Sequence, residues 1–301
     1  MKRSILSRLV RCLPLFGELY RMNDLLASIR QSLLSVERQL QSRHCFEVIR
    51  LLDFNLAEHP RFSDPKRLLR YGFQACSQNG EDGMIDEIFR RIGSESRVFV
   101  EIGIGNGNEN NTAFLISQSW RGYWIDGSSE FLTGIRDRGW DVDGILKGIQ
   151  AFVSRDNVAN LFTEAGVPTE FDLLSIDIDQ NTYHVWQALA GFRPRVVVVE
   201  YNAAFPAHIE WVVPYNSDQM WDGSQNFGAS LKAFEKLAVS LGYHLVGCDF
   251  TGVNAFFVRK DLCADKFSSP FVAEHHYEPP RYSAVTRRSH PPKAFDPAPV
   301  G

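Results

Sequence analysis

Apolar positions follow one rhythm near the start of the chain and another from residue 97 onward. Leu15, Leu19, Met22, Leu26, Ile29, Leu33, Val36 and Leu40 recur at alternating intervals of four and three, which places all eight on one seam of a helix. The flanks are polar (Arg21, Asp24, Arg30, Gln31, Glu37, Arg38), and Pro14 and Gly17 weaken the beginning. Two outcomes fit this seam: a coiled coil that dimerises the protein or docks a partner, and a helix laid on its own domain. Pro60 and Pro65 mark 58–66 as a linker. Met84, Ile85, Ile88, Phe89 and Ile92 then return at helical spacing, with Gly93 to close the helix.

From Arg97 the pattern becomes an alternation. Apolar runs at 97–102, 121–126, 145–153, 171–178 and 194–201 predict strands, and stretches near 109–118, 128–138, 155–165 and 181–191 predict helices. Repeated strand–helix units imply a parallel sheet with helices on both faces. The run Val196–Val199 suits a strand buried on both sides. Residues 202–226 are irregular and carry Trp211, Tyr215 and Trp221; a loop of this length in a compact domain is either functional or disordered, and the aromatics favour an ordered, functional one. A helix is expected at 228–241, then a hairpin turning at Thr251-Gly252. Residues 266–301 are rich in Pro, Ser and His and are expected to be irregular. The chain thus reads as a helical segment (1–57), an α/β domain (67–265) and a tail (266–301).

Composition narrows the class. A chain of 301 residues, 44% hydrophobic and 23% charged, can bury one sizeable core. The net charge of −4 argues against a general nucleic-acid partner. The five cysteines are odd in number and include no CxxC pair, which reads as reduced thiols in a cytoplasmic protein. No apolar run approaches the ~18–20 residues of a membrane span, and Arg8 and Arg11 interrupt the apolar start that a secretory leader would need.

The chemistry concentrates at RVFVEIGIGNG, residues 97–107. An apolar run ending in alternating glycines reads as a buried strand entering a tight turn against which a ligand can lie. A following helix would turn its free N–H groups to that ligand. In a doubly wound sheet, ligands bind beyond the carboxyl ends of the strands. Here those ends carry Glu101, Asp126, Asp177 with Asp179, and Glu200 with Asn202. Asp126 follows Gly103 by about the 20 or so positions expected of a carboxylate that grips ribose hydroxyls. The glycines are spaced E-x-G-x-G-x-G rather than G-x-G-x-x-G. An acid at Glu101 would repel a pyrophosphate and suit a cationic ligand.

EIGIGNG resembles motif I of the class I S-adenosylmethionine-dependent methyltransferases. Taken in order with SQNGEDGMIDEIF, WRGYWIDGS, FDLLSIDIDQNTYHVWQAL and RPRVVVVEYN, it resembles the FkbM-like branch, over roughly residues 72–262. The resemblance implies a Rossmann-like, seven-stranded, mostly parallel sheet with an antiparallel last strand, beside the N-terminal helix. It also implies S-adenosylmethionine as cofactor and methyl transfer to a hydroxyl, with a sugar or glycan intermediate of polysaccharide biosynthesis as acceptor. By position, Gly103, Gly105 and Gly107 would pass under the homocysteine part, Asp126 would hold the ribose, Phe152 would flank the adenine, and Glu101 and Asp177 would lie near the methionine moiety.

An alcohol acceptor must lose a proton, to a general base or to a metal-activated oxygen. Asp177 and Asp179 are two apart, as are Glu200 and Asn202, so each pair shares a strand face. The four form an oxygen-rich set of the kind that holds a divalent cation such as magnesium. Alternatively Asp179 caps the helix at 181–191, Asn202 braces the following loop, and Glu200 acts as a base without metal. His184 and His208 are further candidate bases. Trp211, Tyr215 and Trp221 could stack on a sugar ring or anchor the loop. Two other functions stay open: a nicotinamide-dependent oxidoreductase, and a non-catalytic assembly module built on the heptad helix.

Overall fold

The structure, a computed structural model, describes residues 14–50, 59–141, 144–218, 221 and 224–281. The chain divides into two compact units, 1–51 and 52–301.

The first unit contains helix α1 (Pro14–Arg50), 37 residues long, or roughly 55 Å at 1.5 Å per residue. Pro14 opens it, at the position where a missing N–H costs nothing. Seven seam residues with described side chains, Leu19 to Leu40, are 46–64% exposed. Leu15 lies outside the described side chains.

The second unit is built on strands β1 (Val98–Ile102), β2 (Arg121–Asp126), β3 (Leu146–Gln150), β4 (Glu170–Ile176), β5 (Arg193–Glu200), β6 (Tyr243–Cys248) and β7 (Asn254–Arg259). They form one seven-stranded sheet in the order β3-β2-β1-β4-β5-β7-β6. Strand β7 runs antiparallel to both β5 and β6, and the other pairings are parallel. The strand–helix alternation predicted its parallel part, and the whole is the Rossmann-like, seven-stranded sheet with an antiparallel last strand that the resemblance implied. Helices α2 (Pro60–Ser63), α3 (Glu81–Ile92), α4 (Ala113–Ser117), α5 (Glu130–Asp137), α6 (Val158–Ala165), α7 (Thr182–Ala188), α8 (Leu231–Leu241), α9 (Lys260–Cys263) and α10 (Ala273–His276) complete it. No described helix is long and apolar enough to cross a membrane.

Alternate residues of the central strands enter opposite cores. Val100, Leu174, Val197 and Val199 meet Trp186 and Phe234 on one face. Phe99, Leu173, Val196 and Val198 meet Ile85, Ile88, Trp124 and Phe131 on the other. All four valines of β5 are 0% exposed, and each contributes on the order of 1.5–3 kcal/mol by leaving water. Two faces of helix cover leave the carboxyl edge of the sheet as the surface where polar chemistry can collect.

Four expectations are corrected. Strand β4 ends at Ile176, so Asp177 and Asp179 sit in the following loop rather than on one strand face. Asp179 has φ 52, a left-handed conformation that extended pairing does not allow. Four helices are shorter than their polar–apolar patterns suggested, because loops take their first residues: α4 starts at 113, α5 at 130, α6 at 158 and α8 at 231. Residues 266–281 are irregular outside α10 but pack on the domain rather than forming a separate tail. Tyr201 Oη donates to the Glu278 carbonyl at 2.6 Å and Tyr277 Oη to the Ala203 carbonyl at 2.7 Å. The Glu278 carboxylate, 2% exposed, pairs with Arg61 and Arg281. The Pro60 segment is accordingly docked on the domain rather than a free linker. Residues 282–301 lie outside the described part.

Candidate functional site

A cleft of about 740 Å³ opens at the carboxyl ends of β1 to β4. Its floor is the turn Gly103–Asn106. The Gly103 amide donates to the Ile125 carbonyl at 3.0 Å. A Cβ at Gly103 would sit 1.6 Å from the Asp177 carbonyl oxygen, at φ +87, so only glycine lets the ends of β1 and β4 cross this closely. Gly103→Ala is expected to lower unfolding free energy by about 3–5 kcal/mol through backbone strain and clash. A urea midpoint within experimental error of the parent would contradict this.

Asp126, at the end of β2, shapes the turn. Its Oδ2 accepts the Ile104 and Gly105 amides at 2.7 and 2.8 Å, and its Oδ1 accepts the Ser128 amide at 2.6 Å. A carboxylate has about four acceptor positions, so three bonds leave capacity for a ligand hydroxyl. Gly105 has nothing within 4 Å of its missing Cβ; that side opens to the cleft. Across from it Phe152, 52% exposed, stands over Gly127. An exposed aromatic on a cavity wall is a stacking platform.

Glu101 does not face the cleft. It is 2% exposed. One carboxylate oxygen accepts the Asn111 amide at 2.8 Å; the other accepts the Thr112 amide at 3.2 Å and the Thr112 hydroxyl. Burial pushes its carboxyl up to about 7, against the pull of those bonds. The expectation of a direct charge on the ligand is therefore replaced. Glu101 occupies the backbone donors leading into α4, the ones a pyrophosphate would need. Gly107 is also off the cleft, packed against Trp124 and Phe131.

At the far end of the cleft two carboxylates, Asp177 and Asp179, line the wall, and a third, Glu200, stands next to them. Asp177, Asp179 and Glu200 each offer an oxygen, and these oxygens lie within 4.8 Å of one another. Burial raises all three, and the charges of Asp177 and Asp179 raise Glu200 further. Asp177 reaches about 7, mainly by burial and then through Asp179's charge, while its contact with Glu200 pulls the other way. Such a pair can hold one proton between two acids. Behind it Asp249 is raised to about 7 by burial and then by Glu81. The all-oxygen set fits a hard divalent cation as well as it fits a shared proton.

Buried acids of this kind favour folding while protonated. Their stabilisation is complete below the unfolded value of about 4 and is lost as pH rises through about 7. His276, buried and held to about 3, works in the opposite sense, but only below its unfolded value of about 6.5. The melting temperature is therefore expected to fall by several degrees between pH 6.5 and 8.5, at about 2–4 °C per kcal/mol. A flat profile in scanning calorimetry would remove the argument.

Other candidates are placed elsewhere. His184 Nε2 lies 2.8 Å from the Val213 carbonyl and its ring meets Tyr215 edge-on, so it holds the 202–226 loop. His208 is exposed, away from the cleft. Asn202 donates to the Gln225 and Phe227 carbonyls at 2.8 and 3.0 Å and closes the root of the loop rather than joining the carboxylates. Asp179 does not cap α7, whose N-cap is Asn181. Trp211 stacks on Phe205 and Tyr215 Oη bonds Asp156; of the three loop aromatics, Trp221 lines the cleft.

Gln78, Glu109 and Asn181 also line it, and none was singled out from sequence. Gln78 sits in a loop clamped by Asp82, whose Oδ2 accepts the Ala75, Cys76 and Ser77 amides at 2.7–2.8 Å. A polar run ending in two acids at a helix start was the available signal.

No family model matches the chain, and no curated protein matches it in sequence. Among solved structures it is similar to the CurJ carbon methyltransferase, with a TM-score of 0.42, 10% identity and coverage of 77% of this chain and 70% of that one. It is similar to the glycopeptide N-methyltransferase MtfA complexed with (S)-adenosyl-L-methionine at 0.36 and 12%, covering 62% and 96%. For the CcbJ methyltransferase from Streptomyces caelestis the values are 0.37 and 11%, covering 65% and 97%. At such distances these likenesses say nothing of the reaction this chain performs.

Proposed function

We propose that the chain is an S-adenosylmethionine-dependent O-methyltransferase of the FkbM-like kind, acting on a hydroxyl of a sugar or glycan intermediate. The observation that carries this reading is one cleft holding the glycine turn, Asp126, the exposed Phe152 ring and, at its far end, Asp177 and Asp179 with Glu200 next to them. Asp126 takes the ribose hydroxyls, Phe152 the adenine face, and Gly105 leaves the floor clear. The bound sulfonium supplies an electrophilic methyl carbon. Glu200, sharing a proton with Asp177, receives the acceptor's hydroxyl proton, and Asp179 at the cleft mouth orients that hydroxyl. Glu101's capture of the Asn111 and Thr112 amides speaks against a nicotinamide dinucleotide, and an intact cleft against a purely structural module. Titration calorimetry with S-adenosylhomocysteine tests the reading: micromolar binding is expected, and no heat at millimolar ligand refutes it.

A second arrangement of the same site draws on the carboxylate oxygens within 4.8 Å of one another. Asp177, Asp179 and Glu200 would hold a divalent cation that lowers the acceptor hydroxyl's pKa. Magnesium should then raise the melting temperature at pH 8, and Asp179→Asn should cancel the rise; equal melting with and without magnesium excludes it.

The exposed 4–3 seam of α1 supports a homodimer. A Leu26→Asp, Leu33→Asp double variant is expected to halve the mass in light scattering, and an unchanged mass would rule out the coiled coil. Buried free thiols at Cys76, Cys248 and Cys263 suit a cytoplasmic location.

A further inference from the structure

The cleft is one-signed. No Lys or Arg lines it, and none occurs in 72–89, 98–120, 122–135, 148–154, 170–192 or 196–231; Arg138, bonded to Asn108 Oδ1, and Arg155, stacked on Tyr215, stand outside the lining. Glu109, Asp126, Asp177 and Asp179 line the cavity, with the half-buried Glu200 next to Asp177 and Asp179 and Glu81 buried. A sulfonium cofactor and one shared proton remove two negative charges and leave the cleft negative; a divalent cation on the three carboxylates leaves it so as well. The remaining polar groups are neutral: Gln78, Asn106, Ser128 and Asn181. Asn181 is 4% exposed. Its Nδ2 donates to the Asn216 carbonyl, while its buried Oδ1 has no partner. An unpaired buried acceptor favours a ligand O–H or N–H donor. Beside these groups Trp221, 51% exposed, offers a ring face.

Resting on the methyltransferase reading, we infer that the acceptor enters as an uncharged, polyhydroxylated unit and that phosphate-, nucleotide- or carboxylate-bearing forms of the same sugar are excluded. Phosphate recognition needs Arg, Lys or free helix amides. Here no cation lines the cleft, and Glu101 has taken the amides ahead of α4. Carboxylates beside a phosphate a few ångströms away repel it, which disfavours the anionic form by roughly 100-fold or more. Carboxylates, amides and an aromatic face instead suit hydroxyls.

Two measurements test this. The first reads the charge of the cleft directly. The fluorescence difference between the parent protein and Trp221→Phe isolates Trp221, since Trp120, Trp124, Trp140 and Trp186 are at most 5% exposed and Trp211 contributes equally to both. Caesium is expected to quench Trp221 at least about threefold better than iodide, each normalised to N-acetyltryptophanamide; equal quenching, or better quenching by iodide, overturns the proposal. The second compares methyl glycosides with the same sugars as 1-phosphates and as uridine diphosphate conjugates, reading S-adenosylhomocysteine formation. Turnover confined to neutral members supports the proposal. A phosphorylated member methylated as fast as its neutral counterpart overturns it. Failure of S-adenosylhomocysteine to bind would instead defeat the methyltransferase reading and leave the quenching result intact.

Discussion

Gly105→Arg is expected to abolish binding of S-adenosylhomocysteine, raising Kd by more than about 100-fold, or ~2.7 kcal/mol. Position 105 has φ +57, and its missing Cβ faces open space. A side chain there suffers no clash with the protein and projects over the cleft floor, so its bulk falls on the ligand. The left-handed backbone costs a non-glycine residue about 1–2 kcal/mol, which leaves the domain folded with a melting temperature a few degrees lower. Gly105→Ala carries the same backbone cost with little bulk and should weaken binding about tenfold or less. Calorimetry on the three proteins separates the effects. Equal Kd values for the parent and the arginine variant would show that the ligand does not cross this turn.

Glu200→Gln is expected to lower kcat about 10²–10⁴-fold, the range for loss of a general base, with Kd for S-adenosylhomocysteine changed less than about threefold. Glutamine keeps the volume and removes the proton acceptor. If kcat holds while KM rises, Glu200 positions the acceptor and does not take its proton. If cofactor affinity collapses instead, the carboxylate trio belongs to the cofactor site.

The sheet was legible because its strands are short apolar runs punctuated by glycine and acid, and buried parallel strands need little else. The glycine turn, Asp126 and the strand-end acids were legible for the same reason: in this architecture, place in sequence gives place in space. Glu101 was not. Whether an acid before a glycine turn points at a ligand or at a backbone depends on the conformation of residues 108–112, and no periodicity encodes that loop. His184, His208 and Asn202 looked chemical by residue type, yet His184 and Asn202 spend their polarity on loop carbonyls and His208 faces solvent. Asn181 was overlooked because a neutral amide in a loop carries no local signal, and for Gln78 the signal lay in its neighbours, the polar run ending in Glu81 and Asp82. The ordered segment to Arg281 was missed because its anchors, Tyr201 and Arg61, lie far away in sequence.

That last contact has a bearing on synthesis. Arg61 and Tyr277, 216 positions apart, share a hydrogen bond, and Tyr277 also fastens Ala203 at the root of the cleft loop. A chain made from its N-terminus can pair β1 with β2 early. It cannot lock the loop over the cleft until nearly 280 residues exist. Contacts of such separation form slowly, and domains emerging during translation expose unpaired strand edges meanwhile. During synthesis the sheet has all its strands once Arg259 is made, yet the loop stays unfastened until Tyr277 and Glu278 follow, and a chain halted between Arg259 and Tyr277 would have a site with a floor and no fastened cover.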